Sequence, residues 1–267
     1  MNRVEKLEFI DRVLETYMLS STISNNYMLR DEYLHHIAMG NLFIDIDDHN
    51  AFIYLRRNGF YRVYYLINQE DRTFSFNAFQ PLVLEILYRG EKNFPQNAKS
   101  FWELSGFQSH LSRDSYFLKN TAANEILDLS ASQVIKAHSH EHISFTKRLI
   151  DEYLDLYTGD NLSLEQIESF VSKGLVYLAL VDGQMAGILQ ADHKNGIFWL
   201  GHLVVDATFR GQGVAQKLLK YYLNEGAIAK CNQFQLWVIK DNEAAVGLYK
   251  KHGFNYLNKS TFSMLKM

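Results

Sequence analysis

The chain has 267 residues, of which 47% are hydrophobic, so it is long enough to form two domains with packed cores. Its formal net charge of −3 gives no general attraction to nucleic acid or to an anionic membrane, and we expect neither as a partner. No apolar run reaches the roughly 18 residues of a membrane span, no signal-peptide pattern is present, and one cysteine excludes an internal disulfide, so we expect a cytoplasmic protein.

The N-terminal half alternates between helical and strand-like patterns. Hydrophobic spacing predicts helices at about 4–18, 29–39 and 98–104, and strands at 42–46, 51–56, 60–67 and 82–88. Asn58-Gly59 predicts a tight hairpin between the second and third of these strands.

The C-terminal half has a regular order of elements. A strand at about 133–137 precedes a helix that runs through 147, and Ser163 with Gln166 predicts a capped helix that Gly174 ends. Three antiparallel strands follow at 175–181, 185–193 and 197–205, joined by Asp182-Gly183 and Asn195-Gly196 turns. The remaining elements are a helix at 214–226, a strand at 234–239, a helix at 245–252 capped by Asp241 or Asn242, and strands at 254–257 and 261–266.

The two halves share one spacing. Ala98-x-x-Phe101-Trp102-x-x-x-Gly106-Phe107 matches Ala245-x-x-Leu248-Tyr249-x-x-x-Gly253-Phe254, and a strand of similar character precedes each. This favours a duplication, although helices that stop at Gly-Phe before a strand are common. We therefore predict two domains, 1–125 and 131–267, with a boundary near 120–130.

The stretch after the 197–205 strand carries the most chemical information. Gly211 and Gly213 stand just before the next helix, where glycine lets backbone N–H groups approach an anion and the helix N-terminus adds unsatisfied donors. The pattern predicts a pyrophosphate site, while a tight strand-to-helix turn is the alternative.

Two motifs together resemble the GNAT acetyltransferases. Arg210-x-x-Gly213-x-Ala215 matches the Arg/Gln-x-x-Gly-x-Gly/Ala signature of that family, and Asn242-x-x-Ala245-x-x-Leu248-Tyr249-x-x-x-Gly253-Phe254 matches its second signature. The resemblance covers 131–267. It implies an α/β (α+β) fold of two GNAT-like domains, each a mixed, mostly antiparallel sheet flanked by helices, with the first domain degenerate because Trp102 replaces the tyrosine and no Gly-x-Gly follows a strand.

The resemblance also implies a site for acetyl-CoA as cosubstrate. A gap between the 197–205 and 234–239 strands would admit the pantetheine arm. The binding residues would be strand backbone for the pantetheine amides, the glycine loop for the pyrophosphate, and a helix cap for the arm: Leu203, Val204, Val205, Arg210, Gly211, Gln212, Gly213, Val214, Ala215, Asn242 and Tyr249.

Two residues are candidates for acid–base chemistry. The resemblance places Tyr249 beside the thioester sulfur as general acid, which suits a phenol that is protonated at neutral pH, although a core aromatic is the alternative. Where many relatives place a glutamate, this sequence has Gly201 and Trp237, so His202 is the nearest substitute for the general base. A hydrogen-bonded strand histidine is the competing interpretation.

The histidines at 138, 140 and 142 could share a strand face and bind a metal, but we interpret them as polar residues at a helix start and expect no metal.

The predicted function is transfer of acetyl from acetyl-CoA to a primary amine of a small molecule or peptide, by direct attack in a ternary complex. A non-catalytic acyl-CoA-binding regulatory module is the alternative. A peptidoglycan-type aminoacyl transferase built from paired GNAT folds is less favoured, because such proteins generally lack an intact pyrophosphate signature.

Overall fold

The computed structural model describes residues 1–68, 74, 76, 80–120 and 133–267. The boundary predicted near 120–130 lies, apart from Asn120, outside these residues. Contacts divide the chain into two compact units, one of Met1–Arg113 with Asn258–Met267 and the other of Asp114–Leu257. The C-terminal end of the sequence therefore belongs to the first unit.

The described residues form helices and strands whose bounds are as follows. The helices are α1 (Leu7–Tyr17), α2 (Arg30–Ala38), α3 (Gln96–Leu104), α4 (His140–Tyr153), α5 (Leu164–Ser172), α6 (Val214–Ile228) and α7 (Glu243–Lys251). The strands are β1 (Asn2–Arg3), β2 (Ile23–Ser24), β3 (Leu42–Ile46), β4 (Asn50–Arg56), β5 (Tyr61–Ile67), β6 (Leu82–Tyr88), β7 (Gln108–Lys119), β8 (Val134–Lys136), β9 (Val176–Val181), β10 (Gln184–Lys194), β11 (Ile197–Val205), β12 (Gln233–Ile239) and β13 (Asn255–Lys266). None of these helices is both long and apolar enough to cross a membrane.

The first unit is built on a sheet in which β1, β3, β4, β5, β6 and β13 follow one another, with β2 on β5. Only the β5–β6 neighbours are parallel; β13 pairs antiparallel with β6. One face packs aromatic side chains around the buried Trp102 of α3, and the other packs aliphatic side chains around Ile10 of α1. Burial of both faces accounts for strands that are almost continuously apolar.

Strands β5 and β6 separate after two residue pairs, and the chain itself fills the gap. The buried side chain of Asn25, just after β2, donates from Nδ2 to the carbonyl oxygens of Val63 (3.0 Å) and Glu85 (3.1 Å). Its Oδ1 accepts from the Tyr65 amide at 2.8 Å. These bonds satisfy backbone groups on both strands that would otherwise be buried without partners.

The second unit has the sheet order β7, β12, β11, β10, β9, β8, with residues 114–119 of β7 contributing. Helix α6 packs Leu218, Leu219 and Tyr222 against one face. Helices α4 and α5 pack Leu149, Phe170 and other apolar side chains against the opposite face. The β9–β10 and β10–β11 turns are the predicted Asp-Gly and Asn-Gly turns, and all four of their residues have positive φ, between 48° and 78°.

The repeated spacing corresponds to repeated local structure within each unit. Gly106 after α3 has φ 87° and Gly253 after α7 has φ 85°. The Phe107 amide donates to the Trp102 carbonyl at 3.0 Å, and the Phe254 amide donates to the Tyr249 carbonyl at 3.1 Å. A strand of twelve residues follows in both places. This supports the duplication, since the cap, the buried aromatic pair and the strand all recur.

One sequence expectation is wrong in detail. The two C-terminal strands predicted at 254–257 and 261–266 form a single strand, β13. Asn258 interrupts it with φ 57°, a conformation that asparagine tolerates, so the polar segment that predicts a turn produces only a local kink. The helix predicted through 147 also continues to Tyr153.

Candidate active site

A gap opens in the second unit's sheet between β11 and β12. The two parallel strands pair over four residues, and the last pair is Leu200 with Leu236. Beyond it β11 continues to Val205 and keeps its pairing with β10 on the other side. The β12-facing edge of Leu203, Val204 and Val205 therefore has backbone groups that no strand engages within the described residues, as the predicted gap requires.

The glycine loop, residues 210–215, lies where β11 leads into α6. Asp206 first turns the chain by accepting from the Thr208 amide at 3.1 Å, and a short 3₁₀ turn at Ala207–Phe209 follows. Gly211 (φ 77°) and Gly213 (φ 76°) both adopt left-handed conformations. Nothing lies within 4 Å of the position that a Cβ would take at either glycine. Residues 210–213 of the loop are exposed and leave room for a ligand against their backbone.

Helix α6 begins at Val214 without a side-chain cap. The N–H groups of its first turn, which includes Ala215, have no intrahelical acceptors, and the helix dipole makes this end electropositive. Exposed glycines and free helical donors form the arrangement that binds phosphate groups. Gln212 in the same loop is exposed and donates from Nε2 to the Thr208 carbonyl at 3.3 Å.

Helix α4 holds this loop from the side. The Arg148 guanidinium donates to Asp206 at 2.8 Å, and the Ala207 amide donates to the Tyr153 hydroxyl at 3.2 Å. The Arg210 guanidinium lies 4.8 Å from the centre of the Tyr153 ring. Hydrogen bonds from Thr208, together with Arg148, lower the pKa of Asp206 to about 2. Sequence reasoning missed Arg148 and Tyr153, because nothing local to residues 148 and 153 signals a contact more than fifty residues away.

Tyr249 and Asn242 both belong to α7. Asn242 is the N-cap of the helix and its Oδ1 accepts from the Ala245 amide at 3.1 Å, which confirms it as the cap. Tyr249 is buried, and desolvation raises the pKa of its hydroxyl. It belongs to the same large hydrophobic cluster as Leu203, Val205 and Val214.

His202 lies on the other side of β11. Val204 packs with the α4 and α5 face, and strand alternation puts His202 on that face too. The buried imidazole has Nδ1 2.8 Å from Gln190 Oε1 and Nε2 2.9 Å from the Gly159 carbonyl oxygen. Both ring nitrogens therefore face acceptor oxygens, which is the hydrogen-bonded strand histidine of the competing interpretation. In this arrangement both ring nitrogens are occupied by contacts within the protein.

The strand bulges at Gly201, which with Trp237 is one of the two positions where the resemblance implies a glutamate. Gln190 pairs with His202 while Ala191 pairs with Leu200, so Gly201 is the extra residue. A Cβ on Gly201 would lie 2.1 Å from Gln190 Oε1. The carboxamide of Gln190 thus occupies the space in which a longer side chain at 201 would begin.

The histidine cluster starts α4 rather than extending a strand. Ser139 caps the helix, and the His138 amide donates to His142 Nδ1 at 3.2 Å. The part of the chain that the structure describes contains no group of three or more histidine, cysteine or acidic side chains that could hold a metal ion.

Comparison with known proteins identifies the family. The model of the acetyltransferase (GNAT) family matches residues 139–254. The spermine/spermidine N(1)-acetyltransferase of Bacillus subtilis (strain 168) is 32% identical over 128 residues, which cover 41% of this chain and 84% of that protein. The chain belongs to the GNAT acetyltransferase family. It is an acyl-CoA N-acyltransferase.

Solved GNAT structures share its fold. A GCN5-related N-acetyltransferase from Sphaerobacter thermophilus matches with a TM-score of 0.60 at 13% identity, over 97% of this chain and 90% of that one. A tandem GNAT protein from the clavulanic acid biosynthesis pathway matches with a TM-score of 0.50 at 14% identity, over 84% of this chain and 83% of that one. The expected fold class of GNAT-like mixed sheets flanked by helices is confirmed.

Proposed function

We propose that the protein transfers an acetyl group from acetyl-CoA to a primary amine of a small molecule or peptide. The observation that carries this proposal is the sheet gap beyond Leu200 and Leu236, which ends at the left-handed glycines and free amides of the glycine loop. A pantetheine arm needs a strand edge for its amides, and a diphosphate needs N–H donors. The second unit offers both next to each other.

Acetyl-CoA, the acyl donor, would bind on the face of the sheet that α6 and α7 cover. Leu203 to Val205 would hydrogen-bond the pantetheine amides, Arg210 to Ala215 would hold the diphosphate, and Asn242 would contact the arm. When the amine attacks the thioester carbon, the C–N bond forms, the C–S bond breaks and the leaving thiolate needs a proton. Tyr249 would donate it, since burial raises its pKa and keeps the hydroxyl protonated.

The acceptor would approach from the α4 and α5 face, where His202 lies. The amine would attack the thioester carbon from this side while acetyl-CoA is still bound on the other side of the gap. Direct attack in such a ternary complex requires no covalent enzyme intermediate. The similarity to a spermine/spermidine acetyltransferase supports a small amine as acceptor. The amine would attack as its free base and release its proton to solvent water, because both nitrogens of His202 face other oxygens.

For the first unit, most of which lies within the predicted domain 1–125, we propose a degenerate GNAT-like fold without an acetyl-CoA site. The support is local: its β5–β6 gap, which corresponds to the β11–β12 gap, already contains Asn25. A pantetheine arm entering there would have to displace three hydrogen bonds of a buried side chain.

The experiment has two arms. Titration calorimetry measures coenzyme A binding to the full chain, and a thiol-release assay with acetyl-CoA measures turnover over a panel that includes spermidine, simple diamines and short peptides. Saturable heat together with turnover of at least one amine is the expected result. Binding without turnover on any amine supports the non-catalytic acyl-CoA-binding module, and no heat with coenzyme A overturns the proposal.

A further inference from the structure

The loop between α4 and α5 is tightly folded next to the gap. Asp155 organises its start, since Oδ1 accepts from the Thr158 amide at 2.8 Å and the Thr158 hydroxyl at 2.7 Å. The Gly159 amide then donates to the Asp155 carbonyl at 2.8 Å. We call residues 155–161 the acceptor-side loop. Its Thr158 side chain is buried, so this segment has a defined packing of its own.

The position of Gly159 in this loop tolerates only glycine without rearrangement. A Cβ there would lie 2.4 Å from the Asp155 carbonyl oxygen and 2.7 Å from Asn161 Oδ1. The turn is therefore closed against its own backbone, and it directs the Gly159 carbonyl towards β11. That carbonyl meets Nε2 of His202 at 2.9 Å.

Gln190 fixes the other end of the imidazole. Its Nε2 donates to the Ala191 carbonyl at 2.7 Å, which leaves Oε1 to face His202 Nδ1 at 2.8 Å. The imidazole is thus held between these two oxygens, and a ring nitrogen that carries hydrogen donates to the oxygen it faces. The absence of a side chain on Gly201 leaves room for this carboxamide. Gln190 thus supports the His202 imidazole, and Gly201 provides the space in which the Gln190 carboxamide lies.

We propose that His202, supported by Gln190, is a positioning residue that anchors the acceptor-side loop at the start of the β11–β12 gap and thereby sets the affinity for the amine acceptor. Its imidazole lies next to Gly201, immediately after the last β11–β12 pair, so the loop it holds borders the acceptor side of the gap. The same loop contains Asn161, whose buried Oδ1 accepts no hydrogen bond from the described residues. The link to acceptor affinity rests on the proposed function; the anchoring itself does not.

The test compares four variants with the parent enzyme. His202→Leu removes both ring nitrogens and with them the contacts to Gln190 and Gly159. His202→Gln keeps an amide donor that can reach Gly159. Gly201→Ala places a methyl group where the Gln190 carboxamide lies, and it leaves His202 and Gly159 themselves unchanged. The matched control is His193→Leu, because His193 is an exposed histidine on the adjacent strand β10.

Three measurements separate the possibilities. The hydrogen-exchange rates of the backbone amides of 155–161 report whether the loop is anchored, and this measurement does not depend on enzyme activity. Calorimetry with coenzyme A reports the donor site. KM and kcat with spermidine, or with the best amine of the panel, report the acceptor site. Thermal unfolding of each variant checks its fold, and Gly201→Ala and His202→Gln keep the test informative if His202→Leu does not fold.

We expect His202→Leu and Gly201→Ala to accelerate exchange in 155–161 and to raise the acceptor KM by about tenfold, the effect of losing a buried hydrogen bond. Coenzyme A affinity should be unchanged and kcat should fall by less than about threefold, with His202→Gln close to the parent and His193→Leu indistinguishable from it. A loss of kcat of about a hundredfold or more in both the Leu and Gln variants, with KM unchanged, would make His202 a general base and overturn the proposal. Unchanged exchange in 155–161 would also overturn it. If the parent neither binds coenzyme A nor turns over an amine, the proposed function fails while the exchange result still decides the anchor.

Discussion

Gly213→Glu separates the ligand-binding role of the glycine loop from its effect on folding. Gly213 has φ 76°, and a side chain other than glycine costs about 1–2 kcal/mol in this region. No atom lies within 4 Å of the new Cβ, so no steric cost adds to this strain. For a protein of this size the unfolding midpoint should fall by roughly 2–8 °C.

The effect on coenzyme A should be much larger. Two like unit charges about 4 Å apart repel by about 4 kcal/mol at an effective dielectric constant of 20. The carboxylate introduced by Gly213→Glu would stand beside the diphosphate, so the Kd should rise by about a thousandfold. Calorimetry of parent and variant at the same salt concentration measures this ratio.

Gly59→Glu is the matched control. Gly59 in the β4–β5 hairpin has φ 82° and equally open surroundings, so the same substitution causes the same strain away from the glycine loop. We expect similar losses of thermal stability in the two variants and normal coenzyme A binding only in Gly59→Glu. Equal affinity in both variants would show that the glycine loop does not bind the diphosphate.

Three further predictions concern single-residue substitutions. Tyr249→Phe should lower kcat by about ten- to a hundredfold with coenzyme A affinity unchanged, because it removes only the acid; unchanged turnover on the amine panel refutes that role. Asp206 has a pKa below its ordinary value, so its contribution to stability is present above about pH 4 and disappears as the pH falls towards 2. The midpoints of the parent and Asp206→Asn should therefore differ at neutral pH and converge in acid, and a gap that persists at about pH 2 contradicts this account. Gly226→Ala should destabilise by about 1–3 kcal/mol, since its methyl group would lie 2.2 Å from the ring of Phe234, whereas Gly247→Ala on α7, with open space, should stabilise by about 0.5–1 kcal/mol in denaturant titrations.

Features encoded by neighbouring residues were predictable. The turn at Asp182-Gly183 requires two residues with positive φ, and the sequence supplies the pair best suited to them. The glycine loop is similar, because Gly213 needs its left-handed conformation immediately before α6. Ser163 and Gln166 form both bonds of the predicted capping box. In each case the residues that determine the structure lie within a few positions of each other.

Features that depend on distant residues were not predictable. The Gly159 carbonyl meets His202 across 43 positions, and Arg148 meets Asp206 across 58. Neither contact has a local signal, because a histidine on a strand or an arginine on a helix suits many partners. Glycine at 201, where the resemblance implies a glutamate, predicts a departure from the family pattern, but the side chain that fills the space, Gln190, lies on another strand.

The position of β13 affects the order in which the first unit can fold. Residues 260–266 pair with all seven residues of β6, although synthesis places them more than 170 positions later. Until they emerge from the ribosome, β6 has an apolar edge whose N–H and C=O groups invite pairing with other chains. The first unit is therefore made first and completed last, and the edge of β6 stays open to other chains until residues 260–266 have been synthesised.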